Sequence, residues 1–219
     1  IAMPFVEVLY TSFGGEEFKS AIIVELHTTD GAIGWGEIVA DVRPGYGSET
    51  MTTSYHIAQD FLLPLLMNQT ITHPSDVLRL FKPVRGHHHT KAGIEGAVWD
   101  AFAKANQMPL ADLFSASLPA GHPSRGYAVV GVSIGIKPTI QDTLAVIQKR
   151  YDEGYRRIKL KIKRGWDVEL ARGVRDAMPD ITLMLDANSD YTLADADHLA
   201  QLDAFNLLMI EQPLADDDI

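Results

Sequence analysis

Four charged side chains occupy positions where their spacing could do chemistry: Lys159, Lys161, Asp186 and Glu211. Side chains alternate across a β-strand, so parity assigns faces. In residues 157–162 the apolar set Ile158, Leu160 and Ile162 belongs to one face, which leaves Arg157, Lys159 and Lys161 on the other. In 181–186 Ile181, Leu183 and Leu185 take the apolar face, and Asp186 points the opposite way. In 207–211 Leu208 and Ile210 take it, and Glu211 points the opposite way. Lys161 to Asp186 and Asp186 to Glu211 are both intervals of 25 residues, one strand-helix repeat each. Three consecutive strands thus direct charge away from their helices, at or near their C-terminal ends. Two carboxylates suit a hard cation held through oxygen, and Mg²⁺ fits because it keeps waters that a substrate can displace. Mn²⁺ or another divalent cation could substitute. Two lysines at i and i+2 repel each other, and burial adds to this; both effects are expected to lower a lysine pKa toward a useful base. A charged strand face taken singly is the ordinary pattern of a solvated surface. The repetition on three strands with matching parity favours a site.

These residues need elements to hold them. From Tyr127 onward strands alternate with helices: 127–136, 155–162, 181–186 and 207–211 read as strands, and 139–153, 167–178 and 192–202 as helices. Thr139 with Asp142, and Thr192 with Asp195, are capping boxes. That order is the grammar of a parallel α/β sheet, and charged residues at strand C-termini are where a (β/α)₈ barrel places catalysis. The four strands alone leave barrel and doubly wound sheet open. Ahead of them the chain reads as antiparallel β, then α. Residues 5–11, 20–28 and 32–37 are expected strands, with a loop at 11–15 and Asp30-Gly31 as a two-residue hairpin turn. Residues 54–67, 75–81 and 90–107 follow helical spacing, with Ser75 as an N-cap. The Pro- and Gly-containing stretch 115–125 is the candidate linker. The expected division is therefore residues 1–126, an α+β domain, and 127–219, the first four strands of an α/β domain.

Composition narrows the classes of function. Apolar residues make up 46% and charged residues 22% of the 219 positions, which is ordinary for a folded protein. A net charge of −10 argues against non-specific binding to nucleic acid or to anionic membranes. The absence of cysteine excludes thiolate chemistry and suits a reducing compartment, so the cytoplasm is the expected location. No apolar run reaches the length of a membrane span, and no signal-peptide pattern opens the chain. The sequence starts at Ile1 rather than Met and stops at Ile219, straight after Asp216-Asp217-Asp218, and reads as part of a longer polypeptide.

The segments Arg157-Ile158-Lys159-Leu160-Lys161-Ile162, Gly165-Trp166-Asp167, Leu185-Asp186-Ala187-Asn188 and Ile210-Glu211-Gln212-Pro213-Leu214 resemble the enolase superfamily, specifically its muconate-lactonizing subgroup. Within that subgroup they are most similar to the branch of o-succinylbenzoate synthases and N-acylamino acid racemases. Gly34-Trp35-Gly36-Glu37 and Ala97-Val98-Trp99-Asp100 fit the same pattern. The resemblance implies an α+β capping domain followed by a modified TIM barrel. It implies Mg²⁺-dependent removal of a proton α to a carboxylate of a small molecule, leading to syn dehydration (an o-succinylbenzoate synthase of menaquinone biosynthesis), to racemisation, or to both. Dipeptide epimerase and muconate-type cycloisomerase are weaker alternatives. In the carried-over pattern Asp186 and Glu211 are the first two metal ligands and Lys161 the acid/base on one face of the substrate. Lys159 tunes Lys161 and helps hold the carboxylate, while Asn188 and Ser133 line the pocket. The loops around Phe13 and Asp41 close over the site. A third metal-binding carboxylate and a second catalytic lysine would lie beyond Ile219. Adding a barrel of ~250 residues to the first domain implies roughly 370 residues in all. A homo-oligomer is the expected assembly. Arg164 departs from the pattern, which often has Pro there, and Asp41 stands where related racemases carry an apolar residue.

Other features carry less. A Schiff-base aldolase using Lys161 is the rival mechanism, but it leaves Asp186 and Glu211 without a role. A non-enzymatic half-barrel is the rival of another class. His87-His88-His89 lacks a partner at zinc spacing and reads as a loop leading into a helix. Gly131-Val132-Ser133-Ile134-Gly135 is not a nucleophile elbow, and no phosphate- or dinucleotide-binding fingerprint is present.

Overall fold

The computed structural model describes residues 1–11, 14–45, 47–116, 118–119 and 126–215. Two compact units are distinguished. One gathers Ile1–Pro4 and Phe18–Arg125, the other Phe5–Glu17 and Gly126–Ile219. Strands β1 (Ala2–Thr11) and β2 (Gly14–Ser20) form a two-stranded sheet. The sequence reading takes the start of β2 as loop. Gly14, Gly15, Glu16 and Glu17 have low strand propensity, and pairing with β1 overrides it.

In the first unit β3 (Ile22–His27) pairs antiparallel with β4 (Ile33–Ile38), from Ile22↔Ile38 to His27↔Ile33. The connection is residues 28–32, not the two-residue turn expected from Asp30-Gly31. Thr28 N–H donates to Ala32 O, and Gly31 takes φ +89°. Helix α1 (Met51–Ile57) passes through a π turn (Ala58–Leu62) into α2 (Leu63–Leu66); α3 (Asp76–Leu80), α4 (His88–Ala105) and α5 (Leu110–Ala116) follow. Ser75 does not cap α3. Asp76 does the local work instead, accepting from Thr72 N, Thr72 Oγ1 and His73 N. The core of this unit joins Ile38 to Leu62, Phe81, Ile94 and Val98. Helix α4 lies on β4 with backbone nearly touching backbone. A Cβ added at Gly34 would stand 2.0 Å from Ala97 O, and one at Gly36 2.0 Å from Gly93 O. Helix α5 occupies the start of the expected linker; of the remainder, residues 117 and 120–125 lie outside the described residues.

The second unit contains four parallel strands in chain order: β5 (Gly131–Ile134), β6 (Arg157–Lys161), β7 (Thr182–Asp186) and β8 (Met209–Glu211). Between them run α6 (Ile140–Asp152), α7 (Val168–Ala177) and a broken segment. That segment is a 3₁₀ turn (Leu193–Asp195), α8 (Ala196–Leu199) and a second 3₁₀ turn (Ala200–Phe205), where one continuous helix was expected. Thr192 and Asp195 do form the capping box. Ile158, Leu160, Leu183 and Leu185 are fully buried against Ile147, Leu170 and Val174, as parity requires. Parity fails at Leu208, which is 56% exposed and precedes the short β8; Leu207 and Ile210 pack on the core instead. No helix among the described residues is long and apolar enough to cross a membrane.

Candidate functional site

The site is built from register. Lys159 stands opposite Ser133 on one side and Met184 on the other, and Met184 stands opposite Met209. Two residues further on, Lys161 stands opposite Asp186, and Asp186 opposite Glu211. Residues in register on neighbouring strands share a face. All of these therefore lie on the face turned away from the helices, in two successive rows, with the charged row at the C-terminal strand ends.

Lys161 Nζ donates to Asp186 Oδ2 at 2.6 Å and to Asn188 Oδ1 at 2.7 Å. Lys159 reaches across to β8 and donates to both carboxylate oxygens of Glu211 at 2.9 Å, with Asp186 Oδ2 3.2 Å away. The Asp186 side chain is 1% exposed, and its other oxygen accepts from Asn188 N–H at 3.0 Å. Five of the seven residues predicted for the site, Lys159, Lys161, Asp186, Asn188 and Glu211, are thus joined by hydrogen bonds. Ser133 shares the face at the level of Lys159. Phe13 lies outside the described residues. Asp41, in the first unit, pairs with Lys19 at 3.2 Å. His89 N–H donates to Glu49 and His89 Nδ1 to Val39 O, placing the histidine run at the start of α4.

Burial raises the Asp186 carboxyl pKa, but the ammonium groups of Lys161 and Lys159 outweigh it and hold the carboxyl below its ordinary value. Lys159 reverses the sequence expectation. Burial does act to lower its pKa, yet hydrogen bonds and charge from Glu211 and Asp186 raise it above the ordinary lysine value. The spacing of the lysines along β6 carries no information about the carboxylate that β8 brings to Lys159.

Among the described residues no three His, Asp or Glu side chains are grouped to hold a metal. Asp186 and Glu211 nonetheless offer adjacent oxygen donors of the kind a hard cation takes. They fit as part of an oxygen ligand set, to be completed by waters, substrate or residues outside this sequence.

Sequence reasoning missed the loop contacts behind these groups. Arg164, noted only as a departure, grips Asp195 with two hydrogen bonds of 2.5 Å and donates from its Nε to Asp190 O. Asp167 collects Tyr191, His198 and its own helix terminus. The available signal was an Asp immediately before an apolar-periodic helix, a common N-cap position.

Comparison with known proteins gives the family. Residues 3–115 match the family described as "Mandelate racemase / muconate lactonizing enzyme, N-terminal domain", and 142–219 match "Enolase C-terminal domain-like". The chain is 48% identical over 209 residues to an o-succinylbenzoate synthase of Geobacillus kaustophilus, covering 95% of this chain and 54% of that one. It is 39% identical to an N-succinylamino acid racemase of Thermus thermophilus, with the same coverage of 95% and 54%. The crystal structure of an enolase-superfamily member from Enterococcus faecalis V583 superposes with a TM-score of 0.87 at 39% identity, covering 100% of this chain and 57% of that one. The chain therefore spans about half the length of the curated relatives it matches. The fold is accordingly an α+β capping region followed by the first strands of a modified (β/α) barrel. The chain belongs to the mandelate racemase/muconate lactonizing enzyme family of the enolase superfamily.

Proposed function

We propose that the protein carrying this chain removes the proton α to a carboxylate of a small organic acid. The product is o-succinylbenzoate by dehydration, a racemised N-acylamino acid, or both from one site. The observation that carries this reading is the row Lys161, Asp186, Glu211 at the C-terminal ends of three adjacent parallel strands. Relatives named for both reactions support it, at 48% and 39% identity. Lys161, only 12% exposed and held by Asp186 and Asn188, is the proton-transferring group. Lys159, an ammonium group on the same strand face that donates to Glu211 at 2.9 Å, suits holding the substrate carboxylate. Asp186 and Glu211 would hold Mg²⁺, which when bound stabilises the negative charge that develops on the substrate carboxylate. Ser133, Asn188 and Phe13 are assigned to the substrate pocket. The cytoplasm and a homo-oligomeric assembly complete the reading.

The test uses the full-length protein in D₂O, following α-proton exchange by NMR for N-succinylamino acids and ultraviolet absorbance for dehydration. Wild type is expected to exchange, chelator to abolish exchange, and Lys161→Ala to lower it by about 10²–10⁴-fold, the usual worth of a general acid–base group. Full exchange in Lys161→Ala, or a substrate adduct trapped at Lys161 by borohydride, overturns the assignment.

A further inference from the structure

The loop that follows β7 turns through the left-handed region at Asn188, which tolerates it, and at Ser189, which does not favour it. Asn188 has φ +45° and Ser189 φ +64°, two consecutive left-handed residues without glycine. Such backbone persists only where the surroundings over-determine it, and it concentrates at functional positions. Here the surroundings can be named. On one side the loop extends the pairing with the end of β8 and the residues after it: Ala187, Ser189 and Tyr191 N–H groups donate to Glu211, Gln212 and Pro213 carbonyls. On the other side Tyr191, 2% exposed, donates from its hydroxyl to Asp167 Oδ2 at 2.6 Å. Asp167 is itself buried at 4%. Its second oxygen caps Val168 N–H at 2.6 Å, and His198 Nε2 joins Oδ2 at 2.8 Å. A carboxylate only accepts, so His198 carries its proton on Nε2. Asp167 thus ties the start of α7, which follows β6, to the loop after β7 and to α8. The residue at the β7 end of that loop is Asn188, whose Oδ1 accepts from Lys161 Nζ at 2.7 Å.

We propose that Tyr191, with Asp167 and His198, is a positioning device for Lys161 that acts through Asn188. Tyr191 touches no reacting atom. Its buried hydroxyl anchors the loop whose left-handed backbone turns the Asn188 amide onto the lysine. A capping role for α7 alone would need Val168 and Asp167; it would give Tyr191 and His198 no reason to share the same oxygen. In so far as Lys161 transfers the proton, this deepens the functional reading above and rests on it.

The experiment compares Tyr191→Phe, Asn188→Ala and the double variant in the full-length protein. It uses two readouts, α-proton exchange kinetics and backbone amide hydrogen exchange by NMR. Tyr191→Phe is expected to lower kcat at least tenfold while KM changes less than twofold. The double variant is expected to be no slower than Asn188→Ala, because Tyr191 acts through Asn188. Amide exchange of Asn188 to Tyr191 should rise about tenfold, with the α7 amides unchanged. A variant that melts earlier but keeps the wild-type kcat per folded molecule overturns the proposal, as do losses that multiply in the double variant. Should Tyr191→Phe fail to fold, His198→Ala removes the more exposed donor to Asp167 and gives the same comparison. If wild type shows no α-proton exchange with any substrate tried, the functional reading has failed. The amide-exchange comparison then still decides whether Tyr191 anchors the loop that carries Asn188, and its failure alone overturns the proposal.

Discussion

Asp167 has a pH consequence of its own. Burial raises its carboxyl pKa, but hydrogen bonds from Tyr191, His198 and Val168 N–H outweigh that and hold it below the ordinary value. A carboxyl depressed on folding contributes stability above its unfolded pKa, near ~4, and loses it as pH falls through the folded value. Asp167→Asn should therefore destabilise at neutral pH by about 1–3 kcal/mol, the cost of disturbing a buried charge-assisted hydrogen bond. It should also flatten the decline of stability below about pH 4. Denaturant unfolding at several pH values from neutral to acid checks both. An equally steep acid decline in the variant would mean that other carboxylates carry it. The same residue shows the limit of reading by pattern. Parity put Lys159, Lys161, Asp186 and Glu211 on one face, and the register agrees. It could not tell that Lys159 would be flanked by Glu211, 52 positions away, which raises its pKa where the lysine pair alone suggested a lowering.

Among the elements, the packing of β4 on α4 shows how the two motifs Gly34-Trp35-Gly36-Glu37 and Ala97-Val98-Trp99-Asp100 depend on each other. Trp35 N–H donates to Asp100 Oδ2 at 2.8 Å, and Lys104 binds the same oxygen at 2.6 Å. The glycines let the strand backbone approach the helix without an intervening side chain. Gly36→Ala places a methyl group 2.0 Å from Gly93 O, a clash with backbone that no rotamer change relieves. It is expected to cost about 3 kcal/mol or more, at the upper end of overpacking. Gly96→Ala, on the same helix with nothing within 4 Å, should be neutral or mildly stabilising. Equal melting temperatures for the two variants would show that the contact is slack. Element types were largely legible from periodicity, but lengths were not. The strand expected over 127–136 shrinks to Gly131–Ile134, and the helix expected over 192–202 breaks into short turns. Local pattern reports which residues prefer a strand or helix. Partners decide how far the element runs.

At the scale of the molecule, the chain covers about half of its relatives' length, and the proposed chemistry calls on groups besides Asp186, Glu211, Lys159 and Lys161. A polypeptide of residues 1–219 produced alone is therefore expected to show helix and strand by circular dichroism but no α-proton exchange, even in excess Mg²⁺. The full-length protein serves as the positive control. Exchange by the short polypeptide at a rate near that of the control would mean that Lys161, Asp186 and Glu211 suffice.

The sequence by itself determined that Lys159, Lys161, Asp186 and Glu211 share one strand face. Alternation along a strand and a 25-residue repeat are local geometric facts, readable without knowing what any strand touches. The tertiary structure decided what those residues do to one another. Lysine paired with carboxylate across three strands, Tyr191 tied to Asp167 from 24 positions away, and Trp35 tied to Asp100 from 65. Each of these depends on a distance between segments far apart in the chain. Hydrogen bonds and charge interactions act over only a few ångströms, so such contacts exist only once the chain has folded.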